Sequence, residues 1–198
     1  MLAWNAPYGS MASDQRHRVR VIASADLPFI PKGFGNFNVG LIQGYDTGAP
    51  YGALGAVRSR LYVTNPGYIT PPTSVPYWFT ARDAFRTDDI KRTDVSLTWT
   101  MRFFDAVELF VQPQVLNLTN NQGVIAVDTT VRTAVSAGTG NTFLNFNPFT
   151  TIPVKRDPTG DVTNKTSNWD YGPNFGKPTA TTSYQQPRTF LLTAGVRF

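Results

Sequence analysis

The chain has no cysteine and a single histidine, His17, among its 198 residues. Thiol nucleophiles, disulfide frameworks and cysteine-bearing zinc sites are therefore excluded, and one histidine cannot assemble a metal centre. No apolar run reaches the roughly 18 residues that a membrane-crossing helix requires. Stretches with helical periodicity are missing as well. The opening, Met1-Leu2-Ala3-Trp4-Asn5, has neither the basic start nor the apolar stretch of a signal peptide, so an exported protein of this sequence would begin upstream of Met1. Charge is sparse: 18 Lys and Arg against 13 Asp and Glu give +5. These charges are scattered rather than clustered, so no nucleic-acid partner is expected. There is no glycine-rich phosphate loop and no nucleophile elbow, and nothing in the pattern pairs carboxylates beside an apolar pocket. No catalytic residue, metal or cofactor is expected, and the chain is not read as an enzyme.

What the sequence does have is alternation. In the last eleven residues Phe190, Leu192, Ala194, Val196 and Phe198 form one register, and Thr189, Leu191, Thr193, Gly195 and Arg197 form the other. That is the period of a β-strand, at a length that crosses a bilayer when tilted. The same period runs through 16–29, where Val19, Val21, Ala23, Ala25 and Leu27 oppose Arg18, Arg20, Ser24 and Asp26. It returns in 34–47, with Phe37, Val39, Leu41 and Tyr45 against Asn36, Asn38, Gly40, Gly44 and Asp46. It continues in 90–104, with Val95, Leu97, Trp99, Met101 and Phe103 against Asp94, Ser96, Thr98 and Arg102. The fifth segment, 106–118, sets Val107, Leu109, Val111 and Val115 against Glu108, Gln112 and Gln114. Pro113 sits in its middle, where a missing N–H predicts a local bulge.

The linkers alternate short, long, short, long: 30–33, 49–89, 104–106 and 119–187. Outer-membrane β-barrels connect their strands in this way, whereas compact domains rarely carry two irregular loops of such length. Five large apolar side chains on one strand, at roughly 1.5–3 kcal/mol each, amount to about 10 kcal/mol that cannot be left in water. The expected fold is all-β: an antiparallel up-and-down transmembrane β-barrel segment of about five strands, incomplete, with two long extracellular loops. Phe29, Phe103 and Phe198 then fall at one interface as an aromatic girdle.

Candidate site residues follow from this layout. Arg16, Arg18, Arg20, Asp26, Asp94, Arg102 and Glu108 suit a polar lumen, or equally the solvent side of a sandwich. The first three arginines either guide an anionic ligand or pair with Asp26, Asp94 or Glu108. Tyr51, Tyr68, Tyr77, Trp78, Trp169 and Tyr171 in the long segments could stack on a small-molecule, glycan or peptide ligand. The alternative is that these rings pack the loops against each other. His17 reads as an interfacial residue. Asp157-Pro-Thr-Gly-Asp161 reads as a turn, since it lacks the spacing of a calcium loop.

Several short motifs point to one family. Asp14-Gln15-Arg16-His17-Arg18, leading into Leu27-Pro28-Phe29, resembles a segment of the Oar-like group of TonB-dependent outer-membrane receptors. Asp89-Ile90-Lys91-Arg92-Thr93-Asp94, Val115-Leu116-Asn117-Leu118-Thr119-Asn120 and Gln186-Pro187-Arg188-Thr189-Phe190 with Gly195-Val196-Arg197-Phe198 resemble further segments of that family, in family order. The resemblance implies an outer-membrane location, lipid as solvent for the wall and ligand uptake driven through the TonB complex. It also implies an assembly signal, read by the barrel-assembly machinery, that includes Phe190, Val196 and Phe198. Such receptors close about twenty-two strands around a plug, and a membrane barrel needs at least about eight. The chain is accordingly expected to be the C-terminal part of a larger receptor, without plug or TonB-contacting box and not functional alone. A soluble secreted all-β carbohydrate-binding domain is the alternative, and an Oar-like barrel in protein export or adhesion is a third reading.

Overall fold

The computed structural model describes residues 4–28, 30–64, 67, 69–70, 72–103, 107–136, 143–157 and 166–198. Its strands, in chain order, are β1 (Arg18–Asp26), β2 (Asn36–Asp46), β3 (Pro50–Tyr51), β4 (Leu54–Val57), β5 (Val75–Trp78), β6 (Phe85–Arg86), β7 (Ile90–Phe103), β8 (Val107–Leu116), β9 (Val131–Thr133), β10 (Trp169–Tyr171) and β11 (Thr189–Arg197). Among the described residues there is no α-helix, only three short 3-10 turns. The chain is all-β, and all its named strand pairs are antiparallel. It divides into two compact units.

The first unit is a single sheet in the order β1-β2-β7-β8-β11, with Gln15–Gly48, Asp88–Ile125 and Ala180–Phe198 belonging to it. These are the five segments expected from alternation, and the sheet is open rather than closed. Its register keeps the two sequence faces intact. Ala23 stands across from Leu41, Leu41 from Val95, Val95 from Val115 and Val115 from Phe190. One face is therefore apolar across all five strands, except where Gln43 stands across from Thr93 and Tyr45 from Lys91. On the other, Arg18 stands across from Asp46, Gly40 from Ser96, Ser96 from Gln114 and Arg102 from Glu108. A side-chain period of two transmits each strand's pattern to its neighbour only when the registers agree, as they do here.

The strand ends differ from those expected, for local backbone reasons. β2 starts at Asn36 rather than 34 because a 3-10 turn spans Lys32–Phe34 and Gly35 takes φ +88. A Cβ there would lie 2.4 Å from the Thr100 carbonyl oxygen, so only glycine fits. β8 stops at Leu116 because Asn117 enters the left-handed region with φ 52. The bulge expected at Pro113 does not form. The β7–β8 pairing lapses where Leu97 and Thr98 meet Pro113 and Gln112, then resumes at the same offset. The missing N–H thus costs ladder bonds without inserting a residue. Phe29 and the turn at 104–106 lie outside the described residues.

The second unit overturns the reading of 49–89 and 119–187 as irregular loops. It is built from the described parts of Met1–Asp14, Ala49–Thr87 and Ala126–Thr179. Three small pairs, β3–β6, β4–β5 and β9–β10, frame it. One core cluster holds Ala53, Val131 and Trp169; another holds Val57, Tyr77 and Phe146. Phe79 packs against both. The opening residues join this unit: the Trp4 carbonyl accepts from Trp78 N–H (2.9 Å), and the Trp4 ring stacks on Tyr77.

Every buried hydrophobic residue among those described lies in the second unit. The sheet has none. Phe190 is 71% exposed, Leu192 72% and Val21 50%. Within its own unit the apolar face meets no second layer.

Candidate functional site

The polar face of the sheet carries a charged cluster at the end where β1 begins and β2 ends. Asp46, 7% exposed, is its centre. Arg20 donates to both Asp46 oxygens, Nη1 to Oδ1 at 3.0 Å and Nη2 to Oδ2 at 2.6 Å. Arg18 Nε donates to Oδ1 at 3.0 Å, and its Nη2 reaches the Gln15 side chain. The register explains the choice of partner. Arg18 lies directly across from Asp46, and Arg20 lies across from Gly44, whose missing side chain leaves the space the guanidinium fills. Arg18 and Arg20 therefore pair with Asp46, not with Asp26, Asp94 or Glu108. Asp26 sits at the far end of β1 and accepts from Asn38 Nδ2 at 2.7 Å. Arg16 precedes β1 and is exposed.

Beside this cluster, Arg92 Nε donates to both oxygens of Asp94 at 2.8 and 2.9 Å. Asp94 also accepts the Asn117 backbone N–H at 2.8 Å. Asn117 is fully buried and ties three segments. Its Nδ2 donates to the carbonyls of Asn121 (2.9 Å) and Gln186 (2.8 Å), and its Oδ1 accepts from Asn121 N–H (3.0 Å). Gln185 Nε2 donates to the Lys91 carbonyl at 2.7 Å. Together Arg20, Gly44, Asp46, Arg92, Asp94 and Gln185 border a depression of about 280 Å³. Further along the same face a second depression of about 290 Å³ is uncharged but for Asp94, with Ile22, Ser24, Asn38, Gly40, Ser96 and Gln112 among its walls. At the opposite end, Glu108 is shared by Arg102 and Arg197 at 3.4 Å each.

Replacing Asp46 by Asn is expected to leave two neighbouring guanidinium groups without a counter-charge. The acid is buried but both arginines are substantially exposed, which screens the loss to about 1–3 kcal/mol. Denaturant titration of the variant in detergent micelles, with Gly44→Ala as a steric control, measures it.

No family model, curated protein or solved structure matches the chain. The chemistry of this face therefore has to be read from its own residues.

The loop aromatics separate into buried and half-buried sets. Tyr77 and Trp169 are core residues, so their rings are not displayed to a ligand; packing is what they do. Tyr51 is half-buried and stacked on Phe85 at 5.4 Å. Tyr171 is stacked on Phe175 at 4.3 Å, with Lys155 Nζ 3.9 Å from its ring centroid. Trp78 is half-buried, with the Arg82 guanidinium 5.7 Å from its ring. Tyr68 lies outside the described residues, as do 158–161 of the Asp157 turn. His17 is held through its backbone, which donates to Thr47 Oγ1. Among the described residues no cluster of acids and histidine is arranged to hold a metal.

Two groups outside the five-stranded sheet's strands have shifted acidities. Burial pushes the Tyr77 phenol above its ordinary value. Asp89, just before β7, is held below the usual carboxylate range by the Tyr45 hydroxyl (2.7 Å) and the Gly48 N–H (3.0 Å), both donating to it. A depressed carboxyl contributes stability that is present above the unfolded-state value near 3.8 and lost as pH falls through the lower folded value. Exchange protection at the Gly48 N–H is therefore expected to hold while Asp89 is ionised and to fall as pH is taken below the ordinary carboxylate range. Asp89→Asn should abolish that dependence.

Alternation alone does not single out Asp46, Arg92, Asn117 and Gln185 as partners. Asp46 falls on the polar register in the sequence. Its pairing becomes visible only once the β1–β2 turn fixes which residues stand opposite.

Proposed function

We propose that this chain is a wall segment of an outer-membrane β-barrel of the TonB-dependent receptor type, Oar-like. In the intact receptor the apolar face meets lipid, and the polar face lines the passage for a ligand. The observation that carries this reading is the single-layer sheet. Its apolar face crosses all five antiparallel strands, broken only near one end by Gln43, Thr93 and Lys91, and is uncovered, while the opposite face carries paired charges and amides. In water that apolar face would cost tens of kcal/mol at about 25 cal/mol per Å²; in hydrocarbon it costs nothing. A lumen-facing surface with both signs of charge is what such barrels present to water.

The two long connections, between β2 and β7 and between β8 and β11, leave the sheet at the same end of its strands, as the long extracellular connections of such barrels do. Phe190, Val196 and Phe198 on the apolar face of β11 serve as the assembly signal. Capture of a small molecule, glycan or peptide, and its uptake through the TonB complex, are functions of the complete receptor. The test is flotation of the refolded chain with phosphatidylcholine vesicles, followed by protease protection of the five strands. A chain that stays monomeric in plain buffer and ignores the vesicles is a soluble β-domain instead. Deleting the five strands from the full-length protein should then abolish substrate uptake.

A further inference from the structure

The polar face of the sheet divides by chemistry. Each charged side chain that its strands carry is answered within the face. Asp46 holds Arg18 and Arg20, Asp94 holds Arg92, Glu108 holds Arg102 and Arg197, and the Asn38 amide donates to Asp26.

Between the clusters at the two ends runs a belt of another kind. The register lays Ser24, Gly40, Ser96, Gln114 and Leu191 in one row across the five strands. Asn38 beside Thr98 and Gln112 beside Thr193 make the next row. The side chains of Ser24, Ser96, Thr98, Gln112, Gln114 and Thr193 make no hydrogen bond among the described residues. Gly40 forms the floor, since a Cβ there would come within 2.6 Å of Ser96 Oγ. The depression above it holds about 290 Å³, with Ile22, Ile42 and Leu116 among its walls. That is near the lower end of the roughly 300–1,000 Å³ that small-ligand sites span.

The free groups select a class of ligand. An anion needs cations that are not already engaged by carboxylates, and a cation needs free carboxylates. The belt offers neither: the one acid on its wall, Asp94, is bound to Arg92 and to the Asn117 N–H. An apolar ligand would strip water from six hydroxyls and amides without replacing their hydrogen bonds. An extended peptide is taken at a sheet edge, where its backbone continues the ladder, rather than on a face. What fits is a neutral molecule whose groups both donate and accept, as every hydroxyl and primary amide of the belt does. Saccharide hydroxyls have this property, and the C–H faces of sugar rings match the aliphatic walls.

We propose that this belt binds a neutral saccharide, and that the passage it lines carries one. The proposal rests on the membrane-wall reading, which makes this face the lining of a passage.

The test uses the full-length gene product, purified from its own membranes in lauryldimethylamine oxide, a detergent without a sugar headgroup. It is titrated calorimetrically with neutral tetrasaccharides built of glucose, xylose or mannose, and separately with tetragalacturonate, inorganic phosphate and tetra-alanine. The expected result is binding of a neutral tetrasaccharide and of none of the other three. Gln112→Met combined with Gln114→Met, which keeps side-chain length, should weaken that binding about tenfold, as loss of two neutral hydrogen-bonding groups does. Gln43→Met, on the opposite face, should leave it unchanged. Should the double variant fail to fold, Ser96→Ala is the smaller change, with a loss of several-fold expected. Binding that ignores the substitutions in the belt overturns the proposal. So does preference for an anion or for tetra-alanine, or failure of every neutral saccharide to bind. A gene product that stays monomeric in plain buffer removes the wall reading instead, so the two failures are separable.

Discussion

Leu192→Arg is expected to destabilise the lipid-folded protein by about 2–4 kcal/mol, and Thr193→Arg, its neighbour, by less than about 1 kcal/mol. The two positions are adjacent in β11 and both exposed, but they project from opposite faces. At Leu192 the guanidinium would enter hydrocarbon near the middle of the strand. At Thr193 it would join a face that already carries Arg197, Glu108 and Gln112. Urea titration of folding into vesicles reads the difference, and the same pair in plain buffer is the control. A side chain that is 72% exposed to water loses little on becoming arginine, so equal effects in lipid and in buffer would defeat the wall reading. No ordinary surface gives a several-kcal contrast between two consecutive exposed residues.

The second large effect belongs to the loop unit. Trp169→Ala is expected to cost about 3–5 kcal/mol of that unit's stability, the usual range for emptying a large aromatic from a core. Trp169 packs with Ala53 and Val131, lies 4.8 Å from the Phe79 ring and meets Tyr171 edge-on at 5.5 Å. Trp169→Phe retains most of the apolar volume and should cost about half as much. Limited proteolysis within 49–87 and 166–179, with near-ultraviolet circular dichroism, reports the loss. Should Trp169→Ala leave these segments resistant while abolishing binding of an aromatic or sugar ligand, the ring would be a platform rather than a core.

The contrast between the two units shows what alternation can reveal. A strand of nine to fourteen residues repeats its period often enough to be read from sequence, so β1, β2, β7, β8 and β11 and both their faces were legible. Their ends were not, because they depend on single backbone angles at Gly35 and Asn117. The strands β3 to β6, β9 and β10 run two to four residues each. That is too short for any period to register against a background of Pro, Gly and Thr. Their core is made by residues far apart in sequence, such as Ala53 with Val131 and Trp169, and no local pattern encodes that meeting. The charged cluster was half legible: the polar register contains Arg18, Arg20 and Asp46. The pairing awaited a turn length and the space at Gly44.

One property of the loop unit bears on how the chain matures and how it can vary. It is stitched from three separated stretches, and the last to leave the ribosome supplies Trp169. Ala53 and Val131 therefore lack this third member of their cluster until nearly all of these 198 residues have been made, and closing so distant a contact is slow. The same stitching restrains diversification. A recognition loop that folds alone can be exchanged freely between relatives, whereas here a change in 49–87 must be matched in 126–179. The unit would diversify by coordinated replacement of all its stretches rather than one loop at a time.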